Sequence, residues 1–150
     1  MKQLILFGLM TLFSGVLFAQ NLKPVAYNDG SQKLNGLVTS NAGSKKPGVL
    51  ILPAWKGIDD EAKTAAAELE KAGYIAFVAD IYGEGNIPSD NASAGKTAGK
   101  FKQDYALYQH RIELALEQLK KRELYPKKLP SSVIVLVEQV RWKWQERALM

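Results

Sequence analysis

The sequence predicts an α/β domain, a mainly parallel sheet with helices on both faces. Two runs, residues 48–52 and 74–79, are continuously apolar, as strands covered on both faces are. A helical pattern separates them, and a second one precedes a third apolar run at 132–137. Strand, helix, strand, helix, strand is the signature of right-handed crossovers in one sheet.

The chain opens with Met1 and Lys2, then an almost wholly apolar stretch from Leu4 to Phe18, with Ala19 before Gln20. That pattern predicts a cleavable signal peptide over residues 1–19 and export to a periplasm or beyond. The run is too short for a membrane span and no cysteine follows it, so no stable membrane anchor is expected. Residues 25–27 form a short strand candidate, followed by a turn at Asn28, Asp29 and Gly30. A better strand spans 34–40, and Asn41 to Pro47 is a polar loop. After the strand at 48–52, stopped by Pro53, a helix runs through Lys71. Its apolar positions are Ala62, Ala65, Ala66 and Leu69, and Gly73 closes it. Asp59, Asp60 and Glu61 favour the positive end of that helix, which explains them more simply than a metal site does. The strand at 74–79 ends at Asp80. Residues 81–99, rich in Gly, Ser, Asn and Ala, are expected to be a long loop, and a helix from about 100 to 124 follows. Its apolar face is Tyr105, Tyr108, Ile112, Ala115, Leu116 and Leu119, and Tyr125 and Pro126 end it.

Composition narrows the function. With 150 residues the chain allows one domain, and 47% hydrophobic residues exclude a disordered polymer. Twenty Lys+Arg against 15 Asp+Glu give a net charge of +5, without the clustered basic run of a nucleic-acid binder, so no nucleic-acid partner is expected. The chain contains no cysteine, which removes disulfides, thiolate metal sites and a cysteine nucleophile together.

In sheets of this kind ligands gather where strands end at their carboxyl edge. Two such ends are informative: Pro53-Ala-Trp-Lys-Gly57 and Asp80-Ile-Tyr-Gly-Glu-Gly85. A glycine-containing loop there can aim backbone N–H groups at a developing oxyanion, or be an ordinary tight connection. Neither a dinucleotide fingerprint nor a phosphate-binding loop is present.

The stretch Gly48-Val-Leu-Ile-Leu-Pro-Ala-Trp-Lys-Gly57, the helix at 62–69 and Gly73-Tyr-Ile-Ala-Phe-Val-Ala-Asp-Ile-Tyr-Gly83 resemble the dienelactone hydrolase family. Tyr27, Asp29, Gly30 and Leu34-Asn-Gly36 fit the same family's opening strands, and the resemblance extends over residues 25–128. It implies an α/β-hydrolase sheet, here incomplete, and hydrolysis of a small-molecule carboxylic ester or lactone by a Cys-Asp-His triad without a cofactor. By the same resemblance the Trp55 backbone N–H is one oxyanion-hole donor, and Ala54, Tyr82 and Glu84 line the pocket. Many members carry a glutamate at the place of Ala54. The dienelactone enzymes proper carry an arginine at the place of Glu84, so an anionic substrate is disfavoured here.

The family's nucleophile sits on a Gly-x-Cys-x-Gly elbow after the strand expected near residue 130. Residues 129–150 hold neither glycine nor cysteine, and Ser131 and Ser132 precede the apolar run instead of following it. Codons permitted by Leu129 to Met150, read one nucleotide earlier, can spell IAVIGYCFGGTGALEVARAGAH, the missing strand, elbow and helix. Two of these shifted codons are forced: Trp142 before Lys143 gives glutamate, and Trp144 before Gln145 gives alanine.

The expected organisation is therefore a signal peptide at 1–19, the N-terminal part of a dienelactone hydrolase-like domain at 20–128, and an aberrant tail at 129–150. That chain is truncated before its nucleophile, with no catalytic residue of its own. The alternative for the tail is a divergent ending, a strand plus a short basic helix. His110, ahead of the elbow in the chain, is expected on a helix surface. Alternatives for function are an exported non-catalytic protein that binds through the residual cleft, and a membrane-contacting tail bearing Trp142, Lys143, Trp144 and Arg147.

Overall fold

The computed structural model describes residues 21–122 and the backbone of 132–136. Strands β1 (Lys23–Asp29), β2 (Gln32–Val38), β3 (Gly48–Leu52), β4 (Ile75–Val78) and β5 (Ser132–Leu136) form one sheet in the order β1-β2-β4-β3-β5. Helices α1 (Asp60–Lys71), α2 (Asn91–Gln103) and α3 (Tyr105–Lys120) complete the described chain. β1 and β2 make an antiparallel hairpin, and β2 pairs antiparallel with β4. β4, β3 and β5 are parallel, with Leu50 opposite Phe77 on one side and Ile134 on the other. This is the incomplete α/β-hydrolase-type sheet with flanking helices that the sequence predicts.

Both faces of β3 and β4 are covered, which is why their sequences are apolar without alternation. Ile51, Ala76 and Val78 face α1 through Ala62 and Ala66. Leu50, Leu52, Ile75, Phe77 and Ala79 face α3 through Ala115 and Leu119. β4 lies to one side of β3 and β5 to the other. Right-handed connections in opposite directions place their helices on opposite faces.

Asp60 and Glu61 occupy the first turn of α1 as expected, and the Asp59 carboxylate caps it by accepting the Ala62 N–H at 3.0 Å. The hairpin is longer than its sequence suggests. Asn28 and Asp29 belong to β1, and the turn falls at Gly30 and Ser31, where Gly30 takes φ +56°.

Two expectations are corrected. The supposed loop at 81–99 contains most of α2, whose weak apolar pattern buries only Ala94. Its start is set by a capping box in which Asp90 accepts the Ser93 N–H at 2.8 Å and Ser93 Oγ accepts the Asp90 N–H at 3.2 Å. The Ser93 backbone N–H, and after it the Ser93 hydroxyl, holds the Asp90 carboxyl below its usual range. Further on, the helix expected from 100 to 124 is broken at Asp104, whose φ of −103° and ψ of 75° are not helical. Asp104 ends α2 by donating its N–H to the Lys100 carbonyl and begins α3 by accepting the Leu107 N–H at 3.0 Å. Tyr105 is consequently exposed, whereas Ala115 and Leu119 are buried and Tyr108, Ile112 and Leu116 partly so. Residues 1–19, Tyr125, Pro126, Ser131 and the tail beyond Leu136 lie outside the described residues.

Tyr27 links the hairpin to the end of β4. Its hydroxyl accepts the Asp80 N–H at 3.1 Å and faces the Asp80 carbonyl at 3.3 Å. Burial raises this phenol well above its ordinary value of 10.0, against the lowering effect of its bond to the Asp80 backbone. The unfolded chain therefore ionises Tyr27 first. Its contribution to stability is full below a pH of about 10 and is lost progressively as pH rises toward the folded value. Urea midpoints measured across that range should fall more steeply in the parent than in Tyr27→Phe. Equal slopes would refute the assignment.

Candidate functional site

The carboxyl ends of β3 and β4 point to the same edge of the sheet. After β3, Pro53 stops the ladder and residues 54–57 close a turn, the Gly57 N–H donating to the Ala54 carbonyl at 2.9 Å. Gly57 takes φ +78°, and a Cβ there would lie 3.3 Å from the Tyr82 ring, so glycine is needed for conformation and for space. The Tyr82 hydroxyl in turn donates to the Trp55 carbonyl at 2.8 Å. The Trp55 N–H meets no acceptor among the described residues. The indole is partly exposed, with Lys56 Nζ 5.8 Å from the ring centroid.

After β4, Asp80 organises the second loop. It is buried, and its carboxylate accepts the N–H groups of Asn35 at 2.8 Å, Tyr82 at 3.1 Å and Gly83 at 2.8 Å. The loop is also tied to the hairpin through Gln32. The Gln32 amide donates to the carbonyls of Lys33 and Glu84, each at 3.0 Å, and accepts from Asn86 at 3.2 Å. Glu84 itself is exposed, and its N–H donates to the Lys33 carbonyl.

These loops and α2 enclose a cleft of about 320 Å³, within the usual range for small-molecule sites. Ala54, Trp55 and Tyr82 line it together with Pro53, Ile81, Phe101, Tyr105 and Tyr108. The fourth sequence-predicted residue, Glu84, is not among its lining residues. The Tyr82 and Phe101 rings pack in a tilted arrangement, 5.3 Å between centroids. Phe101 was not foreseen because the apolar face of the expected helix from 100 to 124 was read only from Tyr105 onward, and Phe101 belongs instead to α2.

Two neighbours on α3 complete the picture. His110 is half exposed, as expected of a helix-surface residue, with Nε2 3.2 Å from Asp29 Oδ1. Arg111 is buried, its Nε donating to Asp29 Oδ2 at 2.6 Å and Nη1 to the Ile81 carbonyl at 3.4 Å. An arginine one turn from Tyr108 and Ala115, within the apolar stripe, was the sequence signal for a buried ion pair. Among the described residues no cluster of three His, Cys, Asp or Glu could hold a metal ion, and no helix is long and apolar enough to cross a membrane.

A mixed sheet whose three parallel strands are covered by helices on both faces, with an aromatic cleft over the β3 and β4 ends, defines an α/β-hydrolase-type protein. The chain belongs to the dienelactone hydrolase family, whose model matches residues 34–132. Among solved structures it is similar to m3DLH, with 24% identity and a TM-score of 0.67. It is likewise similar to a dienelactone hydrolase-like promiscuous phosphotriesterase from metagenomic libraries, with 26% identity and a TM-score of 0.67. A Klebsiella pneumoniae protein assigned to the dienelactone hydrolases shares the fold at 14% identity and a TM-score of 0.55. In all three cases the match covers 77% of this chain and 48% of the other, so this chain spans about half the length of those structures. No curated protein matches it. The sequence itself contains no cysteine.

Proposed function

We propose that the protein is an exported dienelactone hydrolase-type chain that keeps the binding half of an ester or lactone site and lacks the bond-breaking half. One observation carries this reading: the cleft is built, while a chain without cysteine cannot form the thiolate that attacks the ester carbonyl. In the intact family reaction, thiolate attack turns the carbonyl oxygen into an oxyanion that backbone N–H groups stabilise. The unengaged Trp55 N–H supports its role as one such donor. Ala54 and Tyr82 would border the acyl group, and Glu84, on the rim loop, would disfavour an anion. The shifted-codon reading of 129–150 supports a change of frame after Lys128, with the elbow lost there. The apolar segment ahead of Ala19 supports periplasmic or secreted localisation.

The test uses the exported chain, whose mass should correspond to a start at Gln20. With 4-nitrophenyl acetate its rate should equal that of buffer, and saturable turnover would overturn the inactive assignment. Sequencing the DNA across codons 126 to 150 tests the frame independently. Read one nucleotide earlier, it must encode a glycine-flanked cysteine.

A further inference from the structure

Beside the aromatic cleft lies a second, more polar one of about 510 Å³, between the loop after β4, α2 and the start of α3. Gln32, Asn86, Ser93 and Thr97 line it with Lys100 and Arg111, and Ile87 sits at its rim 65% exposed. Tyr82 and Phe101 belong to both clefts, so the tilted ring pair is their shared wall. We infer that the two clefts form one bipartite site for a neutral ester, its apolar acyl part against Trp55 and Tyr108 and its hydroxyl-bearing alcohol part beside Thr97 and Asn86. The inference rests on the ester-binding reading above and adds the class of ester.

Three observations favour a neutral polyol over a charged group. Arg111 is already paired with Asp29 at 2.6 Å. The remaining cations of the two walls are exposed, Lys100 in the polar cleft beside Asp104 and Lys102 in the aromatic one, so neither offers an anion a desolvated charge. Among the described residues, the Thr97 hydroxyl has no hydrogen-bond partner, and the Asn86 side-chain oxygen accepts no bond. Each can meet a ligand hydroxyl, while Ile87 offers an apolar surface to the C–H face of a polyol.

Direct binding to the full chain tests this, with Trp55 made the sole indole reporter by Trp142→Phe and Trp144→Phe. Glycerol monobenzoate should bind about tenfold more tightly than methyl benzoate, the gain of roughly two hydrogen bonds. Thr97→Val should cost about threefold of that preference without moving the methyl benzoate affinity, and Thr97→Ser should keep it. Equal affinity for the two esters, or tighter binding of anionic benzoyloxyacetate, overturns the inference while leaving the aromatic cleft intact. Failure of methyl benzoate to bind at all overturns the ester-binding reading and this inference with it.

Discussion

Asp80→Ala is expected to remove a large part of the protein's stability and to release the loop that carries Tyr82. The Asp80 carboxylate accepts three backbone N–H groups, from Asn35 on β2 and from Tyr82 and Gly83 in its own loop. Asp80 is 5% exposed, so water cannot replace the lost acceptor without the loop opening. Bonds to a charged acceptor contribute about 1.5–3 kcal/mol each, and a stranded donor costs a similar amount. Allowing for relaxation, the loss should be about 4–5 kcal/mol, a large part of the ~5–15 kcal/mol that holds an ordinary domain together. Asp80→Asn should lose about half as much, because its oxygen serves one side while its amide group meets a donor on the other. Urea unfolding gives the totals, and amide exchange at Tyr82 and Gly83 locates the release. An Asp80→Ala chain within about 1 kcal/mol of the parent would show that these bonds do not organise the site.

The role of Asp80 marks the boundary of what the sequence makes legible. Burial on both faces leaves an unmistakable trace, so β3 was placed with its full extent and β4 to within a residue at each end. The acidic start of α1 was equally plain, being a local relation between neighbours. α2 was hidden because its stability is not written as an apolar stripe. It contains two glycines and buries one alanine, and it owes its start to two side chains at Asp90 and Ser93. Asp104 escaped for a related reason: one carboxylate ends one helix and starts the next, and the periodicity runs through it unbroken. Long-range polar contacts were the least visible. Asp80 with Asn35, and Arg111 with Asp29, join residues 45 and 82 positions apart. Nothing in the chain pairs them before the sheet brings them together. The apolar half of the cleft was foreseeable from Ala54, Trp55 and Tyr82, and the wall supplied by Phe101 was not.

A second large effect is expected at Gly36, where the demand is for space, since its backbone lies outside the left-handed region. Gly36 lies on β2 between Leu34 and Val38, on the face that packs against Phe77. A Cβ built there would lie 2.6 Å from Phe77 Cζ, 2.8 Å from Cε1 and 2.8 Å from the Val78 carbonyl oxygen. The phenyl ring therefore occupies the notch that glycine leaves in the strand, a known way of covering a bare position in a sheet. Phe77 is 0% exposed and has no solvent-side rotamer to retreat to. Gly36→Ala should cost about 2–3 kcal/mol, the upper end for overpacking, and Gly36→Val enough to prevent cooperative folding. The two obstacles can be separated. Shortening the ring with Phe77→Leu relieves the side-chain clash but not the one with the Val78 carbonyl. The double variant Gly36→Ala, Phe77→Leu should therefore lose about 1 kcal/mol less than the sum of its single changes, a coupling that urea unfolding resolves. Strict additivity would place the whole penalty on the β4 backbone, and an unaffected Gly36→Ala chain would mean that the ring lies elsewhere.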